Sequence, residues 1–495
     1  MKKKILFVIN QFFKGGAETS LLNLFHILSP EKYEIDFIIF DQLDLPNTIS
    51  LIPQIPRWIH VINICENEKK LAFVKKAYFK IYRKVTKQQL FRQSAFEYLK
   101  SRKYDVAVSF GEWFSSALVA IHTMARRKYV WIHADMDKAT FVHPDIATYE
   151  QYFDGFLFAS ELSRKGAIEK YPFLARRSIV VHNPVDRNTL LAKSSEKISP
   201  LFADGLPVLL TVANVRREKN HMRQIRVMRR LKSEGVNFHW VNIGSLADTL
   251  LVQQLKRKIA AAGLVNRFHL IGPRENPYPY MKMADAVCVL SDHESWSMVI
   301  TEAKTLGIPV IATRTSGALE QIITDQTGII AEKIRIFLRD PSIQGKIREN
   351  LKESLKQGND TLEALEPILL CNKKKLLYVV DNVNYVSGAR NAALMQITCL
   401  RKDMDTDLFS AEACRDSTVL KLCKVIDLAK NRSFCSLLQP FREVWKSRQY
   451  PIPAKLQRSF YAVCVRAGKE AAFCSRLLGK EMSYVFEGYD AVCVL

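Results

Sequence analysis

Ser291 to Ala312 reads SDHESWSMVITEAKTLGIPVIA, and it sets two carboxylates, Glu294 and Glu302, eight residues apart. The Ser-Trp-Ser between them suits a loop that enters a helix near Met298, with the helix over Val299–Leu306. Gly307 reads as its C-cap, Pro309 follows, and Val310–Ala312 reads as a buried strand. The first amides of that helix, Ser297, Met298 and Val299, have no intrahelical acceptor, so they favour an anion such as a diphosphate. Carboxylates beside the anion can accept hydrogen bonds from sugar hydroxyls. A sugar nucleotide carries both groups. The plainer alternative is a pair of acids favoured by the helix dipole.

Other residues could contribute. Ile5–Ile9 is a continuous apolar run, suited to a strand covered on both faces, and Gly15-Gly16-Ala17-Glu18 opens a helical pattern after it. Strand, glycine turn and helix is how an α/β sheet offers backbone amides to a phosphate. His133 ends the strand Val130–His133, a position that faces the cleft of a doubly wound sheet. Asp135-Met136-Asp137 has the look of a D-x-D metal pair, but two acids in a loop are common, and we expect no metal. Asn214 to Asn220 reads NVRREKN, a cationic turn after the strand Pro207–Ala213.

Elements at regular spacing must position these groups. Further strands are expected at Glu34–Phe40, Ile59–Ile64, Tyr104–Phe110, Phe156–Ser160, Ser178–His182, Phe238–Ile243 and Ala286–Leu290. Helices are expected at Thr249–Ala261 and Ile334–Leu338, and a polar linker at Leu191–Leu206. The chain has 495 residues and 48% hydrophobic content, enough to fill several cores. A net charge of +23 points to anionic partners. The opening MKKKILFVINQ imitates a secretion signal, but its apolar run stops at Asn10 and it reads as a first strand. The ten cysteines form no C-x-x-C pair, which argues against zinc and redox motifs, and eight of them lie at or after Cys371.

The run from Glu294 to Glu302 resembles the E-x7-E motif of retaining glycosyltransferases of the GT-B fold, especially family 4. The resemblance implies two Rossmann-like domains facing a cleft, and transfer of a sugar from a nucleotide-diphosphate sugar to a hydroxyl. It implies that Glu294 holds the donor sugar and Glu302 the ribose. It places Gly15 and Gly16 by the phosphates, Lys219 on the diphosphate, and His133 near the reacting carbon. Its partners would be a nucleotide sugar and a polysaccharide or lipid-linked acceptor, with no metal, no other cofactor and no nucleic acid. Three positions depart from the family pattern. Ser295 replaces the usual Gly and narrows the space beside the donor sugar. Pro184 replaces Gly in the N-G-V-D segment. Asn214 stands where an anchoring Arg is usual, leaving Arg216 or Arg217 to substitute; we favour Arg217. That loss also admits a relative that binds nucleotide sugar or a partner without transfer.

Two stretches stand apart. Lys69–Lys103 holds twelve Lys/Arg against one acid, is rich in aromatic residues, and has apolar residues at helical spacing, Leu71, Val74, Tyr78, Ile81 and Val85. It suits an anionic membrane surface, or equally a solvated Lys face over a core. The first of these would make the protein cytoplasmic and peripheral at the inner face of the plasma membrane. Lys373–Leu400 repeats the opening (KKK, a short strand, a loop, Gly-Ala, a helix), and Tyr489–Leu495 echoes Tyr104–Ser109. The expected division is therefore 1–190, an acceptor-side domain; 191–340, the nucleotide-sugar domain; 341–371, closing helices; and 372–495, a partial third Rossmann-like domain repeating the first. The last segment reads as part of a longer tandem enzyme, as an accessory, or as a chance repeat of a common unit.

Overall fold

The structure of the protein is a computed structural model, described over residues 2–42, 48–64, 95, 98–99, 101–330, 333–354, 360–371, 374–380, 383–384, 388–400, 404–410, 414–427 and 491–494. Most of Lys69–Lys103 lies outside the described residues.

The first domain begins with β1 (Lys3–Ile9) and helix α1 (Gly16–Ile27). Strands β2 (Tyr33–Ile39), β3 (His60–Asn63), β4 (Lys103–Phe110), β5 (Met124–Ile132) and β6 (Gly155–Phe158) follow. Helix α2 (Glu161–Lys170) and β7 (Ser178–Val180) complete it. All seven strands are parallel, in the order β3-β2-β1-β4-β5-β6-β7. The apolar run of β1 splits by alternation, Leu6 and Val8 to one layer and Ile5, Phe7 and Ile9 to the other. Each such fully buried side chain contributes about 1.5–3 kcal/mol, so this strand anchors both layers.

The expected linker begins as helix. Arg187–Ser194 is helical because the Asp186 carboxylate caps it, accepting from the Thr189 amide at 3.1 Å. Extended chain then leads to β8 (Val208–Val212), α3 (His221–Ser233), β9 (His239–Ile243), β10 (Phe268–Gly272), β11 (Ala286–Val289) and α4 (Met298–Thr305). After β12 (Val310–Ala312) come α5 (Ser316–Gln321) and β13 (Ile329–Ile330). The second sheet is also parallel, ordered β10-β9-β8-β11-β12-β13. In both sheets the chain reverses its winding at one place, between β1 and β4 and between β8 and β11. Ligands of open α/β sheets bind at the carboxyl ends of the strands there. Helix α6 (Asp360–Leu370) returns to the first domain, where Leu365 and Leu369 join its core.

The third unit comprises β14 (Lys374–Val380), α7 (Gly388–Leu400), β15 (Met404–Ser410), β16 (Lys424–Asp427) and β17 (Ala491–Val494), ordered β16-β15-β14-β17. It repeats the first sheet in register as well as in order. Lys4 faces Glu34 and Ile5 faces Val106 in the first sheet; Lys375 faces Asp405 and Leu376 faces Ala491 in the third. Its strand starts pack against the strand starts of the first domain. Lys375 reaches Asp154 at 2.5 Å, the Arg127 guanidinium pairs with Asp405, and Leu377 enters the first domain's core.

Candidate active site

The amino ends of α1 and α4 meet across the gap between the first two domains. A Cβ placed on Gly16 would stand 3.9 Å from Met298 Cγ.

Ser297 is the N-cap of α4, yet its amide is not free. It donates to Gln321 Oε1 at 2.9 Å, while Gln321 Nε2 donates to the Ser297 carbonyl and to Thr301 Oγ1 at 2.9 and 2.8 Å. The expected set of three anion-facing amides therefore loses Ser297. Among the described residues, the Met298 and Val299 amides have no acceptor.

Glu294 meets Lys219. The ammonium lies 2.5 Å from Glu294 Oε1, and the Ser291 hydroxyl donates to the same oxygen at 2.8 Å. Lys219 ends a single turn, Arg217–Lys219. Asn220 closes that turn in the left-handed conformation (φ 46°), and its side chain caps α3 at the Arg223 amide, 3.0 Å away. Asn220 and Arg223 both bind Asp292 at 2.8 Å, which joins the cationic turn to the Glu294 loop.

Of the two arginines, Arg217 has an exposed side chain, and its carbonyl accepts the Asn220 amide at 3.0 Å. Arg216 stands near enough to Glu18 to favour its charged form. Asn214 joins the turns after β8 and β9, its Oδ1 accepting the Ser245 amide at 2.8 Å.

Glu302 is buried, and Tyr278 donates its hydroxyl to it at 3.2 Å. Burial pushes the Glu302 carboxyl up to about 7, with Lys14 and Tyr278 opposing the shift. Lys14 comes from the loop before α1 and donates to the carbonyls of Arg274 and Glu275 at 3.1 and 2.5 Å, bridging the domains.

The glycine loop differs from expectation. The Glu18 carboxylate folds back over Gly15, where an added Cβ would lie 2.4 Å from its Oε2. A phosphate brought to Gly15 would meet a carboxyl group there. Burial raises Glu18 to about 7, against its own amide and Arg216.

His133 also differs. Its ring packs beside Phe110 and Trp131, with centroids at 4.3 and 5.8 Å, and both ring nitrogens are closed off without a partner. Burial pushes the imidazole down to about 3; Asn183 opposes this, but not in hydrogen-bonding geometry. The peptide of His133 faces the cleft instead. Its amide donates to Glu112 Oε2 at 2.8 Å, and its carbonyl accepts the Ser295 hydroxyl of the second domain. Ser295 therefore spends its hydroxyl on the first domain. Trp296 beside it stacks on His182, centroids 4.1 Å apart.

Other ties reinforce the closure. Ser316 donates to Asp135 Oδ2 at 3.1 Å, and Glu320 accepts the Glu161 and Leu162 amides at the start of α2 at 3.0 and 2.6 Å. Asp135 of the D-x-D pair thus serves the domain contact. Among the described residues no three His, Cys, Asp or Glu side chains gather as metal ligands. Sequence reasoning missed Glu112, Glu320, Gln321 and Lys14. Only Lys14, next to the glycine pair, had a neighbouring signal.

Residues 193–354 match the family model described as glycosyl transferases group 1. N-acetyl-alpha-D-glucosaminyl L-malate synthase of Bacillus anthracis is 22% identical over 187 residues, 35% of this chain and 48% of that protein. The N-acetylgalactosamine-N,N'-diacetylbacillosaminyl-diphospho-undecaprenol 4-alpha-N-acetylgalactosaminyltransferase of Campylobacter jejuni is 25% identical over 166 residues, 33% of this chain and 43% of that protein. The capsular polysaccharide biosynthesis glycosyltransferase CapM of Staphylococcus aureus is 23% identical over 248 residues, 46% and 61% of the two chains. The chain spans about half the length of the curated relatives it matches. Among solved structures, Anabaena Alr3699/HepE with UDP and glucose superposes with a TM-score of 0.56 at 19% identity, over 74% of this chain and 98% of that one. TarM of S. aureus gives 0.55 at 14%, over 74% and 99%. At these identities the likeness is one of fold. No described helix is long and apolar enough to cross a membrane. Residues 193–354 are thus similar to the glycosyl transferases group 1 family, and with the first domain they build a GT-B fold.

Proposed function

We propose that the chain transfers a sugar from a nucleotide-diphosphate sugar to a hydroxyl acceptor, with retention at the anomeric carbon. The observation that carries this reading is the Lys219–Glu294 pair, 2.5 Å apart beside the mouth of α4. In that pair a cation and a carboxylate neutralise each other until the donor arrives. A diphosphate would take the ammonium and the Met298 and Val299 amides, and the freed carboxylate would accept hydroxyls of the donor sugar. Glu302 would take the ribose. The same cation and amides would stabilise the leaving diphosphate as charge develops on it. No protein nucleophile and no metal enter this reading.

The relatives narrow the substrates. HepE was solved with UDP, and the Campylobacter and Staphylococcus enzymes carry names of undecaprenol-linked and capsular work. We therefore assign a UDP-sugar as donor and a lipid-linked or polysaccharide acceptor, met at the cytoplasmic membrane surface. Two variants test the site. Lys219→Ala should weaken UDP binding about 10–100-fold, as loss of a charge-assisted bond of about 1.5–3 kcal/mol implies. Glu294→Gln should lower UDP release from the cognate UDP-sugar about 100-fold and leave UDP affinity within a few-fold. Wild-type behaviour of both variants would sink the reading, and the product's anomeric configuration by NMR tests retention.

One observation favours a second reading, in which nucleotide sugar binds without transfer. The side-chain oxygen of Asn214, which stands where the anchoring Arg is usual, is occupied by the Ser245 amide. Binding of UDP-sugars with no release of UDP, across a panel of donors and acceptors, would select it.

A further inference from the structure

A chain of contacts crosses the gap between the domains and ends beside Glu294. Glu112 follows β4 at the winding reversal of the first sheet and is 1% exposed. Its Oε2 accepts the His133 amide at 2.8 Å, and its own carbonyl accepts the His143 amide at 2.7 Å. The His133 carbonyl accepts the Ser295 hydroxyl. Ser295 is peptide-bonded to Glu294, whose carboxylate Lys219 and Ser291 hold from the other side.

The loop has little room to slide. The Gly317 amide donates to the Glu294 carbonyl at 2.7 Å, and a Cβ on Gly317 would lie 2.8 Å from the Ser295 carbonyl oxygen. The Ser295 side chain is buried, so its hydroxyl and the His133 carbonyl exchange one partner for another only by parting the domains.

We infer that Glu112, the His133 peptide and Ser295 form a positioning relay, through which docking of the two domains sets Glu294 in place. Ser295 and Glu112 are positioning residues: neither touches the reacting atoms. The inference deepens the proposed function, because Glu294 is read there as the donor-sugar carboxylate. The relay itself is open to test without that reading.

Amide hydrogen exchange on the full chain tests it, with Ser295→Ala, Glu112→Leu and the double variant. Ser295→Ala should speed exchange at His133 and Ala134, in the other domain, about fivefold. Glu112→Leu, which removes the acceptor, should speed exchange of the 294–298 amides to a similar degree. The double variant should add little to either, because coupling through one element is reciprocal and non-additive. Loosening confined to the substituted domain, or full additivity, overturns the relay. Should Glu112→Leu fail to fold, Ser295→Ala and Ser295→Gly still give the first-domain readout.

A second arm uses UDP as probe. Ser295→Ala should keep UDP affinity within twofold while release of UDP from the donor falls about tenfold. Unchanged turnover overturns the positioning role. Absence of UDP binding in the wild type sinks the proposed function instead, and leaves the exchange result standing.

Discussion

Glu294 and Glu302 leave the same loop and helix, yet their surroundings differ. Glu294 has a cation at 2.5 Å. Glu302 has a phenol at 3.2 Å and Lys14 nearby, inside a buried space that raises its carboxyl from 4.5 to about 7. The sign of the consequence follows from linkage. Between those two values the folded chain holds the proton that the unfolded chain has released, so stability falls as pH rises through the window. Below it the cost of the buried charge is absent; above it the cost is complete. Glu302→Gln never bears that charge. Its stability relative to the wild type should therefore rise between pH 5 and pH 8 by up to about 3 kcal/mol. Denaturant melts at the two pH values check this, and a constant difference would contradict it. His133 is the converse case: held near 3, it is a neutral ring throughout that range.

Among elements, α4 shows how a site helix is held at its open end. Gln321 lies in another helix, but it takes the Ser297 amide and carbonyl and the Thr301 hydroxyl. Gln321→Ala should cost about 1–3 kcal/mol, since it leaves buried backbone groups unpartnered. A lower denaturation midpoint with unchanged slope would confirm it. The parallel strands were legible in the sequence because a strand buried on both faces is a continuous apolar run, and β12 falls on the expected Val310–Ala312. Lys219 and Glu294 were each legible through the family resemblance, but their direct pairing was not, because it joins two turns far apart in the chain. Gln321, Glu112 and Glu320 carried no such mark. Their partners lie on another helix, in another domain or, for Glu112, just past the next strand, and a single polar residue reaching so far leaves no periodicity in its own segment. Ser295 was legible as a departure, but its partner was not, because the His133 carbonyl is backbone. The helix Arg187–Ser194 was hidden by its polar composition, although Asp186 was a readable cap.

At the scale of the whole molecule, three parallel sheets are joined in two different ways. The first and second domains meet by side chains reaching backbone, as Ser295 does to His133 and Glu320 to the start of α2. The first and third meet by buried charge. The Lys375 side chain is 4% exposed between Asp154 at 2.5 Å and Asp407 at 3.6 Å, with Arg127 beside them. Removing one partner of such a cluster leaves the others uncompensated, so Lys375→Met should destabilise by about 3–5 kcal/mol. The loss should fall on the third unit. Limited proteolysis should cut it at lower denaturant than in the wild type, while the first domain keeps its resistance.

The repeat also has a direction. It is joined to the first domain start to start, through Lys375, Asp405 and the backbone at Cys423, which the Arg176 guanidinium grips. The carboxyl tips of its strands consequently look away from the gap that Glu294 borders. Among the described residues, the tips of the repeat's strands and the gap beside Glu294 therefore lie on opposite sides of the first sheet's strand starts.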